Sequence, residues 1–463
     1  MDSSVNIIEV AQVTPSHSES FEPLTLPLTF FDLVYFKFRP VERVIFYRLT
    51  NATRLFFDSV IIPNLKTSLS SALFHYLPLA GQLVWGQLDP KPSIVCSQND
   101  AVSFTVAESN AYFSRLSGDK PFPSAELYPL VPELQSSDDS ASVVSFQVTL
   151  FPNQGFCICV KAHHGVLDGK TTTMFLRSWV HICKHQDSSL PQDLLPTYDR
   201  TVIRSPTDSE NKVLNEWHSL AKILAGGKEP DNPKSLKLQP SMKIGANVVR
   251  YTLELTRNDI QKLRERLKRE STSSSSSSSS SKELRLSTFV IAYSYAFVCL
   301  IRARGGEPKR PVGYGFSVDC RSLIDPPIPS YFGNCISGCY RIMLIAETFM
   351  GEEGLLAAAR MVSESIEEWD ESMAWRIPDH VGYATLPPGS QNIIASGSTR
   401  FGVYELDFGW GRPDKVMTVS IGQGNVISMA DNRDGKGGVE IGFSLKEQEM
   451  DALIVLLHHE LNR

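Results

Sequence analysis

The stretch from residue 185 to residue 245, beginning "HQDSSLPQDLLPTYDRTVIRSPTDSENKV" and including "GGKEPDNPKSLKLQPSMK", is rich in Pro, Ser, Asp and Lys and holds a single short helical candidate, Leu214 to Leu224. Such a segment has too few apolar side chains to offset the entropy of ordering it as a core. It divides the 463-residue chain into two parts of similar size, and a chain this long exceeds one ordinary hydrophobic core. The expected organisation is an N-terminal domain over 1–190, a crossover over 191–245 and a C-terminal domain over 246–463. A second break, the serine run from Ser271 to Ser281, follows the charged segment "RNDIQKLRERLKRE" and reads as a disordered surface loop. A phosphorylation cluster is the functional alternative, and a tolerated insertion the simpler account.

Both parts read as mixed α and β. In the first, Leu65, Leu69, Ala72, Leu73, Tyr76 and Leu77 share one helical face that stops at Pro78, and strand-like runs "PSIVCS", "VSFTVAE" and "VVSFQVTLF" follow. In the second, "STFVIAYSYAFVCLIRAR" is apolar nearly all round, which predicts a deeply buried helix. Strand-like "VGYGFSVDC", "FGVYELDFGW" and "GVEIGFSL" come after it. The spacing of Ser444 and Glu447 predicts a capping box for a closing helix that presents Met450, Leu453, Leu457 and Leu461.

Charge excludes one large class of partner. Lys and Arg number 45 against 51 Asp and Glu, a net charge of −6, so no basic footprint for a nucleic acid exists. The first residues, "MDSSVNIIEVAQVTPSHSES", lack the basic leader and apolar core of a signal peptide, and no window approaches a transmembrane span. A cytoplasmic protein with no membrane role is expected. The eight cysteines are scattered through apolar segments, as reduced core thiols are; the pairs Cys157/Cys159 and Cys335/Cys339 have no partner pair at zinc-site spacing.

The chemistry-bearing cluster is "HHGVLDG", residues 163 to 169. "GFCICVKA" before it reads as a buried strand. Thr171 to Cys183 after it reads as a helix with Phe175, Leu176, Trp179, Val180 and Cys183 on one face. The histidines thus lie where a strand ends and a loop begins, a place from which side chains reach into a cleft. A metal site would need further ligands, and adjacent residues leaving a strand point to opposite sides, so His163 and His164 do not readily share one ion. Two satisfied core histidines are the plain alternative. The third reading is a proton carrier: a near-neutral imidazole takes a proton from an alcohol and returns it to a leaving group, while an aspartate one turn on fixes the loop.

His163 to Gly169 resembles the HxxxD motif, in its HHxxxDG form, of the plant BAHD acyltransferases; short forms of the motif also occur in chloramphenicol acetyltransferases and peptide-synthetase condensation domains. "DFGWG", Asp407 to Gly411, matches the second BAHD signature. "YFGNC", Tyr331 to Cys335, resembles the motif of the branch that acylates anthocyanins and other phenolic glycosides, and "LPLTFFD" and "YLPLAG" fit further family blocks. The resemblance implies an α/β fold of two similar-sized mixed domains, chloramphenicol acetyltransferase-like, joined by a long crossover with the active site in a channel at their interface. It implies an enzyme that moves an acyl group from coenzyme A to an alcohol or amine in a ternary complex, without a bound metal or permanent cofactor.

In that scheme His164 is the general base and His163 a support. Asp168 is salt-bridged and structural, and Gly165 and Gly169 give room beside the base. Asp407 is expected to pair with Arg321 near the coenzyme A side. Trp410 and Gly411 would shape that wall, with a buried core tryptophan as the equal alternative. Ser287 and Thr288 of "STF" match a block that contacts the coenzyme, although a serine there is also an ordinary N-cap. The motifs look closest to malonyltransferases, which makes malonyl-CoA the expected co-substrate and a sugar hydroxyl of a phenolic or flavonoid glucoside the acceptor. A hydroxycinnamoyl donor, coumaroyl or caffeoyl, is the alternative. A malonyl carboxylate calls for a cation in the acyl pocket; Arg177 is the candidate, with a solvent-exposed helix arginine as its other reading. A monomer is expected. From a different class, a non-catalytic BAHD-like partner protein stays open, although both signature motifs are intact here.

Overall fold

The computed structural model describes residues 5–16, 22–238, 245, 247–274, 284–379, 382, 386–422 and 425–463. Two large sheets organise it. The first has six strands in the order Val5–Val13, Val102–Ser109, Val144–Phe151, Gly155–Ala162, Val41–Arg48 and Lys415–Thr418. The second has seven, running Ile336–Ile345, Pro311–Asp319, Gln391–Ser398, Val426–Asp431, Val439–Lys446, Val248–Leu255 and Phe122–Pro123. Each lies against a buried helix: Gly169–His185 against the first, Thr288–Arg304 against the second. The second helix is buried at every position from Val290 to Ile301, as its all-round apolar sequence requires.

The sheets exchange strands. Lys415–Thr418 pairs antiparallel with Val41–Arg48 in the first sheet, and Phe122–Pro123 pairs with Val248–Leu255 in the second. The first core likewise takes in Cys320, Tyr331, Phe332, Cys335, Leu406 and Phe408, so the two cores do not divide cleanly at residue 245. The crossover is held down: helix Ser209–Leu224 buries Val213 and Trp217, and Trp217 Nε1 donates to the carbonyl of Leu33 at 2.8 Å.

Several local expectations are corrected. The serine run begins as helix: Arg257–Ser274 is continuous, with the Thr272 and Ser273 hydroxyls folded back onto carbonyls one turn earlier; the rest of the run, from 275, lies outside the described residues. Ser444 caps nothing, because the strand Val439–Lys446 continues past it to pair with Val248 and the closing helix starts at Glu447. "FGVYELDFGW" forms no strand. Its neighbours Val403 and Tyr404 are both buried, which breaks a period of two, and Gly402 and Gly409 take positive φ of 64° and 108°. Among the described residues no helix is long and apolar enough to cross a membrane.

Candidate active site

Ala162 ends the strand that carries the histidines, and the chain turns at once. Val166 N and Leu167 N both donate to the carbonyl of His163, at 3.0 and 3.3 Å, and Gly165 N donates to His163 Nδ1 at 3.1 Å. The turn can be this tight because position 165 has no side chain: a Cβ there would stand 2.8 Å from the Phe36 Cα. His163 is therefore consumed by its own loop. Burial, with His164 and Lys37 adding to it, holds its imidazole at about 3, a ring that stays neutral.

His164 is partly exposed and lies flat on Tyr35, with ring centroids 4.6 Å apart and planes 10° apart, while Phe38 meets it edge-on at 5.8 Å. Among the described residues its Nδ1 is buried with no hydrogen-bond partner, and its carbonyl accepts from Asn334 Nδ2 at 2.9 Å. Burial pulls this imidazole below its ordinary value, partly offset by its own carbonyl, by the charge of Asp168 and by Asn334.

Asp168 turns away from the histidine and does three jobs. Its side chain caps helix Gly169–His185, accepting from Thr171 N at 2.8 Å. Its other oxygen accepts from Arg321 Nη1 at 2.8 Å and from Cys335 N at 3.1 Å. Both side chains of the ion pair are essentially inaccessible, at 0% and 1%. The carboxyl's burial alone would raise its pKa; Arg321 and the two amides outweigh that and hold it below the usual range. Arg321 also donates to Thr171 Oγ1 and the carbonyl of Gly333, so one guanidinium ties the histidine loop to the "YFGNC" segment.

This corrects the expected Asp407–Arg321 pair. Asp407 bonds Lys184 Nζ at 2.7 Å and accepts the amides of Gly409 and Gly411 at 2.9 and 2.8 Å. Lys184 stands in the last turn of the helix whose first turn Asp168 caps, 16 residues on and so about 24 Å away. Arg321 reaches the N-terminal end of that helix, and "DFGWG" braces the other. There Phe408 packs on Trp179 at 4.9 Å and Trp410 on Phe156 at 5.8 Å. Gly411, at a φ of 101°, is exposed. Ser287 is exposed and caps Thr288–Arg304 through Val290 N, while Arg177 is solvent-exposed on its helix.

Two residues that sequence reasoning passed over complete the shell. Asp32, fully buried, accepts from Asn334 N at 2.8 Å and Asn334 Nδ2 at 3.1 Å, so Asn334 bridges it to His164. Arg200 of the crossover donates to Tyr331 Oη and the carbonyl of Phe332 at 2.6 and 2.8 Å. Both partners sit in blocks quoted from the sequence, "LPLTFFD" and "YFGNC"; the contact between those blocks is what the linear chain hides. Beside this shell a cleft lined by Arg43, Arg250, Phe401, Val416 and Glu440 opens between the two sheets. Phe401 in its wall packs where a Gly169 Cβ would lie, and Arg43 in its wall donates to Thr173 Oγ1 at 3.2 Å.

Two facing sheets, an inter-sheet cleft and a histidine offered at a strand end define the two-domain, chloramphenicol acetyltransferase-like acyl-transfer fold. The profile of the Transferase family matches residues 3–455. Phenolic glucoside malonyltransferase 1 of Arabidopsis thaliana is 70% identical over 463 residues, covering 100% of this chain and 98% of the relative. Malonyl-CoA:anthocyanidin 5-O-glucoside-6''-O-malonyltransferase of the same plant is 46% identical, with 97% of each chain covered. Among solved structures, vinorine synthase superposes with a TM-score of 0.67 at 20% identity and 98% coverage of both chains, a likeness of fold. The chain belongs to the BAHD branch of the Transferase family and is an acyl-CoA-dependent acyltransferase.

Proposed function

We propose that the protein moves a malonyl group from malonyl-CoA to a sugar hydroxyl of a phenolic or flavonoid glucoside, with His164 as general base. The observation that carries the mechanism is the division of labour at the strand end: Asp168 is committed to Arg321, leaving His164 as the unprotonated, partly exposed imidazole in the cluster. With Nδ1 buried against its own backbone, Nε2 is the nitrogen left to meet a substrate. It takes the proton of the acceptor hydroxyl as the oxygen attacks the thioester carbonyl. The imidazolium then protonates the departing thiolate. Tyr35 stacked beneath the ring and Asn334 on its carbonyl fix the orientation that this exchange needs.

The malonyl assignment is supported by the names of the relatives at 70% and 46% identity; agmatine coumaroyltransferase, the relative that speaks for a hydroxycinnamoyl donor, is 41% identical. In this reading Asp407, Trp410 and Gly411 act as a brace, and Ser287 and Thr288 keep their place as coenzyme A contacts. The protein works in the cytoplasm, in keeping with eight free, buried cysteines. The test offers purified protein malonyl-, acetyl-, coumaroyl- and caffeoyl-CoA with a panel of phenolic glucosides and reads product masses. Malonyl esters are expected, with a loss on the order of 10²- to 10⁴-fold in kcat for His164→Ala. No transfer from any donor, or undiminished activity in His164→Ala, refutes the mechanism.

A further inference from the structure

Arg43 stands in the middle of the strand Val41–Arg48, where alternation puts it on the same face as Ile45 and Tyr47, toward the histidine helix. It is 7% exposed, yet among the described residues it forms no ion pair; its hydrogen bond goes to the Thr173 hydroxyl, one turn beyond Asp168. Buried charges are ordinarily paired, since desolvating one alone is costly. Burial duly lowers its pKa to about 10, with a weaker opposing pull from Asp431, whose carboxylate accepts the Val403 amide instead. The acid that does line the cleft, Glu440, is already bonded to Tyr404 Oη at 2.6 Å and paired with Lys415 at 3.5 Å. The cleft therefore presents an uncompensated guanidinium close to the proton-carrying loop.

We propose that Arg43 receives the free carboxylate of a dicarboxylic acyl donor and so selects malonyl-type thioesters over uncharged ones. The inference rests on the malonyl reading above and assigns that selectivity to one side chain. A planar guanidinium already steadied by Thr173 has donors left for a two-point contact with a carboxylate. An acetyl or coumaroyl group would leave those donors unpaired, which turns a contact into discrimination.

The experiment compares malonyl-CoA with acetyl-CoA, both with hydroquinone glucoside as acceptor, in the wild type, Arg43→Gln and Arg43→Lys. Arg43→Gln is expected to lower the malonyl-to-acetyl ratio of kcat/KM by roughly 10- to 100-fold, through malonyl, and Arg43→Lys by less, since it keeps the charge and loses the fork. The methyl ester of malonyl-CoA, run on the wild type, removes the charge from the donor instead and should lose a comparable factor even if Arg43→Gln does not fold. An unchanged ratio in a folded Arg43→Gln overturns the proposal. So does an equal loss with both donors, which would place Arg43 on the part of coenzyme A they share. A wild type that prefers acetyl- or coumaroyl-CoA refutes the malonyl reading itself, a result separable from either of these.

Discussion

Replacing Asp168 with asparagine changes one atom and should unsettle two elements at once. The carboxylate accepts from Thr171 N on one oxygen and from Arg321 Nη1 and Cys335 N on the other. An asparagine can satisfy only one side: with its oxygen toward Thr171, its amide meets two donors, and Arg321 keeps only Asp319, 40% exposed, as a charged partner. Breaking a buried pair by removing one charge costs about 3–5 kcal/mol, a large part of a stability that is about 5–15 kcal/mol in total. The assay is the denaturant midpoint of Asp168→Asn, Arg321→Met and the double variant, with kcat measured well below the unfolding transition. The double variant should be less destabilised than the sum of the singles, because it leaves no orphaned charge. Asp407→Asn is the comparison: its pair with Lys184 is half solvated, so about 1 kcal/mol is expected. Loss of Asp168 should lower kcat by about 100-fold through a displaced His164. If Asp168→Asn keeps wild-type stability and nonetheless abolishes turnover, the assignment of Asp168 as an anchor is wrong. The sign with pH is fixed as well. A carboxyl held below its unfolded value contributes stability above about pH 4 and loses it as pH falls toward the folded value.

His163 makes an independent prediction of the same sign in a higher pH window. Its folded imidazole, near 3, binds a proton that the unfolded chain binds at about 6.5, so stability falls as pH drops through that window, by about 1.4 kcal/mol per unit. Denaturant midpoints at about pH 6.5 and about pH 5 should therefore differ by roughly 2 kcal/mol from this group, and by that much less in His163→Gln. The two glycines flanking the turn should also separate. Gly165→Ala drives a methyl to 2.8 Å from the Phe36 backbone, which cannot yield, and should cost about 1–3 kcal/mol and disturb turnover. Gly169→Ala meets the tip of the Phe401 ring at 2.8 Å, which can rotate aside, so the melting shift should be the smaller of the two.

What the sequence made legible was local. The strand "GFCICVKA", the turn and the helix after it appear where periodicity put them, and the apolar run from Val290 to Ile301 is buried throughout. Charge partners were not legible. Arg321 lies 153 residues beyond Asp168 and 86 before Asp407, and only the folded chain shows that the helix between the two acids sets them far apart. "FGVYELDF" looked like a strand because its alternation is real over four residues, but a strand also needs a neighbour, and the positive-φ glycines at 402 and 409 deny it one. Arg43 carries no motif in "VERVIFYR", although a charged residue on the strand face it shares with Ile45 and Tyr47 is itself a signal that it faces something specific.

The exchanged strand Lys415–Thr418 sets a schedule for how the chain can be made. Its partner Val41–Arg48 leaves the ribosome among the first residues and then stands as an open sheet edge until position 418 has emerged. At about 5–20 residues per second, the wait is on the order of 20–75 s. Unpaired edges of this kind recruit other strands, including those of neighbouring nascent chains. An N-terminal half expressed alone should accordingly aggregate, and supplying a peptide that spans Lys415–Thr418 should lessen it.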